Sequence, residues 1–287
     1  MVPVPVSSAI DFIVIAGMRI RNIISNYRIL DLQRNNLIKS FDEYDRKIYE
    51  QIENHVDQYI EFYNLTDSQV YDHHLSFLKI FLRHQELFNK DKKYPYERDG
   101  IITKIPRIQY DISLLLSCLL TKHRFEIMKN LSLFMKKNMG KVAIIGTGPG
   151  LEISLTKDLC KSIVAYDIEI SDFVKIKFPR IFKKELFRFS KDTKYDYIFA
   201  IELLEHLHEP TELLRHIYQS LEVGGVTSLT TAKNIPQFDH LYNFDNEDIF
   251  ERDLDQIGFK IKEKKIIKHN YLRKDNDVNN IFYILKK

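Results

Sequence analysis

A short segment near the middle of the chain constrains the fold most. Residues 141–152 read Lys-Val-Ala-Ile-Ile-Gly-Thr-Gly-Pro-Gly-Leu-Glu, an apolar run followed by three glycines and a helix-compatible start. Glycine adopts positive φ and has no Cβ, so such a turn leaves bare backbone at the N-terminus of a helix. The segment therefore predicts a buried strand, a tight turn and a helix, with room for a ligand against Gly146, Gly148 and Gly150.

An acidic residue follows the next predicted strand. Asp167 comes directly after the apolar run at residues 163–166 and 21 positions after Gly146. An acid at this spacing can accept hydrogen bonds from ribose hydroxyls. The dinucleotide pattern would place Gly or Ala where this chain has Leu151, and the carboxylate of Glu152 would oppose a pyrophosphate. The pattern therefore favours a nucleoside ligand that carries an ammonium group over a dinucleotide.

The pattern of apolar residues changes at residue 140. Before it, apolar residues recur every three or four positions, which predicts an all-α N-terminal domain over residues 1–124. After it, short apolar runs alternate with helical segments, which is typical of βαβ units and a mainly parallel sheet over residues 125–287. The strand candidates are residues 142–145, 163–166, 195–201 and 226–231, and residues 259–268 and 280–285 suggest a closing antiparallel hairpin.

Three local predictions concern the N-terminal half. Residues 9–18 are apolar but interrupted by Asp11 and too short to span a bilayer, so we expect a buried helix. Residues 89–106 break the periodicity and predict an exposed loop. The last helix of this half is predicted over residues 125–137 and is expected to end at Gly140.

Composition excludes several classes of protein. The net charge is only +3 with 29% charged residues, which does not favour a nucleic-acid binder. The two cysteines, Cys118 and Cys160, are far apart, so neither a disulfide framework nor a zinc knuckle is indicated. We therefore expect a cytoplasmic protein without a membrane partner.

Several motifs in order resemble those of class I S-adenosylmethionine-dependent methyltransferases, especially the ubiquinone-biosynthesis and natural-product enzymes. They are Ile-Gly-Thr-Gly-Pro-Gly (145–150), Tyr-Asp-Ile (166–168), the run from Tyr195 to Pro210, Leu-Glu-Val-Gly-Gly-Val (221–226), and His-Leu-Tyr-Asn-Phe followed by Ile-Gly-Phe (240–259). The resemblance covers residues 141–287. It implies a Rossmann-like sheet of seven strands and S-adenosyl-L-methionine as cofactor.

The resemblance also assigns residues to the cofactor. Gly146, Thr147, Gly148 and Gly150 would lie against its methionine and ribose, Asp167 would hold the ribose and Ile168 would contact the adenine. Ile201 and Glu202 would lie beside the sulfonium. The family's adenine-contacting polar residue after the third strand has no clean match in Phe187-Arg188-Phe189-Ser190.

Two histidines are candidates for the chemistry. A base near the acceptor would help to remove its proton, and we expect His206 or His240 in this role. Glu202, Glu205 and His206 are spaced to share a helical face, so with His240 they offer an alternative Mg²⁺ or Mn²⁺ site. Because Glu-x-x-Glu-His-Leu is common in metal-free members of the family, we predict no metal.

The function predicted from these motifs is methyl transfer from S-adenosylmethionine to oxygen or nitrogen of a small molecule. The helical half is expected to build the acceptor pocket and a homodimer contact. Three alternatives remain. The first is transfer of the aminocarboxypropyl group, as in nicotianamine-synthase-like enzymes, and the second is a catalytically silent binding module. The third is an RNA substrate, which the charge balance disfavours.

Overall fold

Helices make up the first half of the chain. A computed structural model describes residues 18–100, 105–178, 193–269 and 277–287. The helices before the first strand are α1 (Met18–Asn26), α2 (Arg28–Ile38), α3 (Glu43–Phe62), α4 (Asp67–Asp91), α5 (Pro95–Asp99), α6 (Arg107–Leu120) and α7 (Lys122–Phe134). The predicted helical character of this half is confirmed. The helix expected at residues 9–18 lies outside the described residues apart from its last position.

Capping side chains explain where the long helices begin. At the start of α4, Thr66 Oγ1 accepts a hydrogen bond from the Gln69 backbone N–H and Gln69 Oε1 accepts one from the Thr66 backbone N–H. Asp42 accepts from the Asp45 N–H before α3. Ile52 and Val56, in the apolar stripe of α3, are completely buried. Local capping and helical periodicity thus agree on these elements.

A mixed sheet follows the helices. Its elements are β1 (Met139–Ile145), α8 (Leu151–Thr156), β2 (Cys160–Tyr166), α9 (Asp172–Lys177), β3 (Tyr195–Ala200), α10 (Pro210–Ser220), β4 (Leu221–Lys233), α11 (Glu247–Ile257), β5 (Lys260–Lys268) and β6 (Asn279–Lys286). The strand order is β2-β1-β3-β4-β6-β5. Strands β1 to β4 pair in parallel, and β6 is antiparallel to both β4 and β5. The predicted α/β class and closing hairpin are confirmed.

The predicted number of strands requires correction. The sheet has six strands within the described residues, not the seven that the family resemblance implies. The apolar runs of the sequence correspond to these six, and the seventh had no run of its own. Residues 179–192, between α9 and β3, lie outside the described part of the chain, and with them the segment 187–190.

Two other local predictions were wrong. Helix α7 ends at Phe134, and Gly140 lies inside β1, where a Cβ would stand 2.0 Å from Asp196 Oδ2. Residues 89–106 are not simply an exposed loop, because α4 continues to Asp91 and α5 follows. Tyr94 is buried there, and its hydroxyl donates to Asn243 Oδ1 at 3.0 Å. Long-range contacts that no local pattern contains decide both regions.

Alternate residues of the strands enter two hydrophobic clusters. Val142 and Ile144 of β1 belong to a cluster that also contains Ile52 of α3 and residues of α6 and α7. Ala143 and Ile145 belong to a second cluster, with residues of α10 and α11. The N-terminal helices therefore share a core with one face of the sheet, as the two-residue period of strands requires. In the described residues, no helix has the length and apolarity of a membrane span.

Candidate cofactor and acceptor site

A cavity of about 580 Å³ lies at the carboxyl ends of the parallel strands. Ligands of open α/β sheets bind at this edge, and the volume is in the range of ligand pockets. The turn after β1 and the residues after β2 and β3 form one end. Helices α4 and α6 and the segment after β4 form much of the rest. The residues predicted from the sequence that line it are Gly146, Thr147, Gly148, Asp167, Ile168, Ile201, Glu202, His206 and His240.

The glycines of the turn after β1 serve different purposes. Gly148 has a φ of +47°, and a Cβ built on it would meet no atom within 4 Å. Gly150 has a φ of +82°, and a Cβ there would lie 2.9 Å from Val174 and 3.2 Å from Phe178. Gly148 thus keeps space open beside the backbone, whereas Gly150, which is not a cavity-lining residue, allows close packing against α9.

Asp167 is joined directly to this turn. Its Oδ2 accepts hydrogen bonds from the Gly148 backbone N–H at 3.0 Å and from Thr147 Oγ1 at 3.3 Å. Its Oδ1 accepts one from the Glu169 N–H at 3.1 Å. The structure therefore brings together the two predicted elements of the cofactor site, and the exposed side chain of Ile168 stands at the rim beside them.

Helix α3 contacts the glycine turn through His55. His55 is buried, its Nε2 donates to the Pro149 carbonyl at 3.0 Å, and its Nδ1 lies 2.7 Å from Ser154 Oγ. Burial, followed by the charge of Lys177, lowers the pKa of His55 to about 3. The ring is therefore neutral, and its Nδ1 accepts a hydrogen bond from the Ser154 hydroxyl and also lies 3.2 Å from Lys177 Nζ. Sequence analysis did not identify His55, because a histidine on a helix has no local signature for this role.

Glu202 is completely engaged by its neighbours. Its Oε2 forms an ion pair of 2.8 Å with Arg124 Nη1, and its Oε1 accepts from Thr230 Oγ1 at 2.8 Å and Asn280 Nδ2 at 2.9 Å. The backbone of Glu202 has a φ of +50°, in the left-handed region that non-glycine residues rarely adopt. Strain of this kind tends to occur at functional sites. Arg124 was not foreseen, because the pairing joins α7 to the end of β3.

Glu152 introduces a buried carboxyl group at the cofactor end. It stands in the first turn of α8, is 8% exposed and lines the cavity. Burial raises the pKa of Glu152 to about 7; Arg124 opposes this shift, and the carboxylates of Glu202 and Asp167 add to it. A cation bound beside Glu152 would favour the ionised form of its carboxyl group. The carboxyl group is thus suited to accept a ligand ammonium group.

Two histidines meet at the other end of the cavity. Glu205 and His206 lie in a short 3₁₀ turn after β3, and His240 lies in the segment after β4. The Glu205 carbonyl accepts from the N–H groups of Leu241 and Tyr242, at 2.7 and 3.1 Å, which ties the two segments together. The ring centroids of His206 and His240 are consequently 4.8 Å apart.

The two imidazoles have opposite electrostatic environments. Burial, and then the charge of His206, lowers the pKa of His240 to about 3. Burial alone would lower the pKa of His206 as well, but the carboxylates of Asp239 and Glu205 outweigh burial and raise it. His240 is therefore a neutral base at physiological pH, and His206 is the ring that gains a proton more readily.

Aromatic side chains cover this end of the cavity. The rings of Phe77 and Tyr110 both line it, with centroids 6.2 Å apart, and Phe238 packs edge-on against each of them. These residues come from α4, α6 and the segment after β4. The apolar stripes of the helices indicated burial, but a stripe that faces a cavity has the same pattern as one that faces a core.

The residues present fit S-adenosylmethionine. The open space beside Gly148 admits a ligand against the backbone, Asp167 lies where it can accept from a ribose, and the Glu152 carboxyl lies in the same cavity. Asp167, Gly148 and Glu152 are accordingly the residues that would hold the nucleoside and the ammonium group.

Comparison with known proteins identifies the second half of the chain. Residues 121–264 match a family model described as a methyltransferase domain. No curated protein matches the chain. Among solved structures, the N-methyltransferase NodS from Bradyrhizobium japonicum, in complex with S-adenosyl-L-homocysteine, is 14% identical, with a TM-score of 0.46 over 57% of this chain and 84% of that one. The 1,6-didemethyltoxoflavin N1-methyltransferase from Burkholderia thailandensis is 13% identical, with a TM-score of 0.47 over 56% and 78%.

Proposed function

Because this chain belongs to the class I S-adenosylmethionine-dependent methyltransferase family, we propose that it transfers a methyl group to oxygen or nitrogen of a small molecule. One observation carries the proposal. A single cavity runs from the turn joined to Asp167, at one end, to the His206 and His240 pair at the other. A donor bound at the first end would therefore share one cavity with an acceptor at the second.

The chain's own residues would place the two reactants. Asp167 and Gly148 hold the nucleoside, and Glu152 accepts from the ammonium group. Ile201 and Glu202, directly after β3, also line the cavity. When bound, the cofactor supplies a strongly electrophilic methyl group, so that most of the rate enhancement comes from orientation of the acceptor.

His240 is suited to receive the acceptor's proton. Its Nδ1 lies 2.7 Å from the Ile235 carbonyl, which can only accept, so Nδ1 carries the hydrogen and Nε2 carries the lone pair. The imidazole is neutral because burial lowers its pKa. A hydroxyl or protonated amine within reach of Nε2 would lose its proton there as the new bond to carbon forms.

The acceptor pocket is assigned to the helical half of the chain. Phe77 and Phe81 of α4 and Tyr110 of α6 line the cavity. Flat apolar surfaces of this kind favour an aromatic or otherwise largely apolar acceptor with one polar group directed at the histidines. The expected domain of residues 1–124 would thus determine which molecule is methylated.

The by-product of the reaction tests the proposal. The protein is incubated with S-adenosylmethionine and small panels of phenols and amines, and the products are separated by mass spectrometry. We expect S-adenosylhomocysteine together with a methylated acceptor, and much less of both products with the Asp167→Ala variant at a low concentration of the cofactor. Methylthioadenosine would instead indicate transfer of the aminocarboxypropyl group. Binding of the cofactor without any turnover across the panels would support the silent module.

A further inference from the structure

We propose that Glu205, His206 and His240 form a binding site for one divalent transition-metal ion at the acceptor end of the cavity. Each residue offers a ligand atom, and these atoms lie within 4.8 Å of one another. All three side chains also line the cavity. The ion-binding claim does not depend on the proposed function, whereas what the ion does for the acceptor rests on it.

Both imidazoles are held in the way that metal-binding histidines are held. His240 Nδ1 lies 2.7 Å from the Ile235 carbonyl, and His206 Nδ1 lies 3.1 Å from the Asp239 carbonyl. Each Nδ1 therefore carries a hydrogen and donates it to a backbone oxygen. This arrangement leaves Nε2 of both rings as the nitrogen able to bind an ion, and it fixes the orientation of each ring.

The Glu205 carboxyl group is the second, independent indication. Its side chain is 1% exposed, and neither of its oxygens has a hydrogen-bond partner among the described residues. Buried carboxyl oxygens normally have partners, and an exception requires a reason. The nearby guanidinium of Arg124 is paired with Glu202 at 2.8 Å. A cation between Glu205 and the two histidines would satisfy both carboxyl oxygens.

The backbone fixes the site before any ion binds. The hydrogen bonds from Leu241 and Tyr242 to the Glu205 carbonyl join the segment that carries Glu205 and His206 to the segment that carries His240. A preorganised set of ligands loses little conformational freedom on binding. Such preorganisation is typical of metal-binding sites and is not expected of a chance cluster of side chains on the surface.

The donor atoms indicate the class of ion. Two imidazole nitrogens and one carboxylate suit Zn²⁺, Co²⁺ or Mn²⁺ better than Mg²⁺ or Ca²⁺, which prefer oxygen ligands. With three protein ligands, positions remain open toward the cavity. An ion there would occupy Nε2 of His240 and would replace that ring as the group that activates the acceptor. It would lower the pKa of a bound hydroxyl, so the acceptor would be an oxygen nucleophile. The prediction of no metal, made from the sequence, is replaced by this proposal.

Direct ion binding tests the proposal. Protein without an affinity tag is freed of metal with a chelator and titrated with Co²⁺, and the visible absorption of the bound ion and the ion content after gel filtration are recorded. We expect one ion per chain and a higher temperature of thermal unfolding. Glu205→Gln and His240→Ala should each weaken binding by about 100-fold or more, whereas His208→Ala, which lies outside the cluster, should leave it unchanged.

Circular dichroism of each variant shows whether it is folded. If His240→Ala does not fold, Glu205→Gln still tests the proposal, because glutamine has nearly the same shape as glutamate. Absence of bound ion in the wild-type protein, or binding that persists in both variants, would overturn the proposal. Calorimetry with S-adenosylmethionine separates this result from the function: cofactor binding without ion binding refutes only the metal site, and ion binding without cofactor binding refutes only the proposed methyl transfer.

Discussion

The two ends of the cavity differ in how their polar groups are satisfied. At the cofactor end, Asp167 accepts three hydrogen bonds and Glu202 is paired with Arg124. At the acceptor end, both oxygens of Glu205 are buried without a hydrogen-bond partner among the described residues. The carboxylates of Asp167 and Glu202 thus have partners within the chain, whereas the carboxyl group of Glu205 has none among the described residues. This difference is the reason why we place the proposed metal ion at the acceptor end.

The largest expected effect is a difference in stability between variants of Glu202 and Glu205, two glutamates that are three residues apart. Glu202→Met would leave Arg124 buried without its partner and should lower the free energy of unfolding by about 3–5 kcal/mol. Glu205→Met would remove an unpaired buried group and should raise it in the metal-free protein by about 1–2 kcal/mol. Urea unfolding of chelator-treated protein measures both. A loss of stability in both variants would show that Glu205 has a partner in the folded chain, which would remove the contrast between the two ends.

Filling the open space beside Gly148 should weaken cofactor binding without lowering the stability of the protein. Gly148→Ala places a methyl group where the structure has no atom within 4 Å, so it should weaken cofactor binding by roughly 100-fold. Gly100→Ala is a matched control, because Gly100 also has a positive φ, +65°, and the same open surroundings, but does not line the cavity. Both variants should unfold at similar denaturant concentrations. Equal cofactor affinity in the two variants would mean that the glycine turn is not the binding surface.

The hydrogen bond from His55 of α3 to the glycine turn should matter for cofactor binding as well as for stability. His55→Ala removes the hydrogen bond to Pro149 and should lower the free energy of unfolding by about 1–3 kcal/mol. Ser154→Ala removes only the hydroxyl donor to Nδ1, leaves Lys177 Nζ beside that atom, and should cost about 0.5–1.5 kcal/mol. Cofactor affinity should fall more in the first variant, because the glycine turn loses its support. Unchanged affinity in His55→Ala would show that the turn holds its shape without α3.

Cofactor binding should depend on pH through Glu152. Its pKa is raised to about 7 mainly by burial, so the folded protein retains a proton there between about pH 4.5 and 7 that the unfolded chain releases. An ammonium group favours the ionised form, so affinity should rise with pH up to about 7 and fall about tenfold per unit below it. Calorimetry between pH 5 and 7 measures the slope. Glu152→Gln should flatten it, and a slope that persists in this variant would assign the proton to another group.

The two ends also differ in how well the sequence predicted them. The glycine turn, β1, β2 and Asp167 lie within one βαβ unit, so local pattern and spacing sufficed to foresee their contact. The meeting of His206 with His240 depends on hydrogen bonds from Leu241 and Tyr242 to the Glu205 carbonyl. The ion pair of Arg124 with Glu202 likewise joins α7 to the end of β3. Contacts of this kind join elements that are distant in the chain, and no local periodicity contains them.

Gly140 and Tyr94 illustrate the same limit in the fold. Glycine after a helical stretch indicates a helix end, yet Gly140 is required because its missing Cβ makes room for Asp196 of the neighbouring strand. Tyr94 stands in a polar, proline-containing segment that is typical of a loop, yet its ring is buried and its hydroxyl binds Asn243 and the Ile235 N–H. In both places a tertiary contact outweighs the local preference.

Titration calorimetry of the folded wild-type protein with S-adenosylhomocysteine tests the central claim most directly. The account predicts one bound molecule per chain, and an affinity that falls about 10- to 100-fold in Asp167→Ala, equivalent to about 1–3 kcal/mol for the lost hydrogen bonds. Binding of equal strength in the variant would contradict the assigned role of Asp167. No heat of binding with fully folded wild-type protein would contradict the account as a whole.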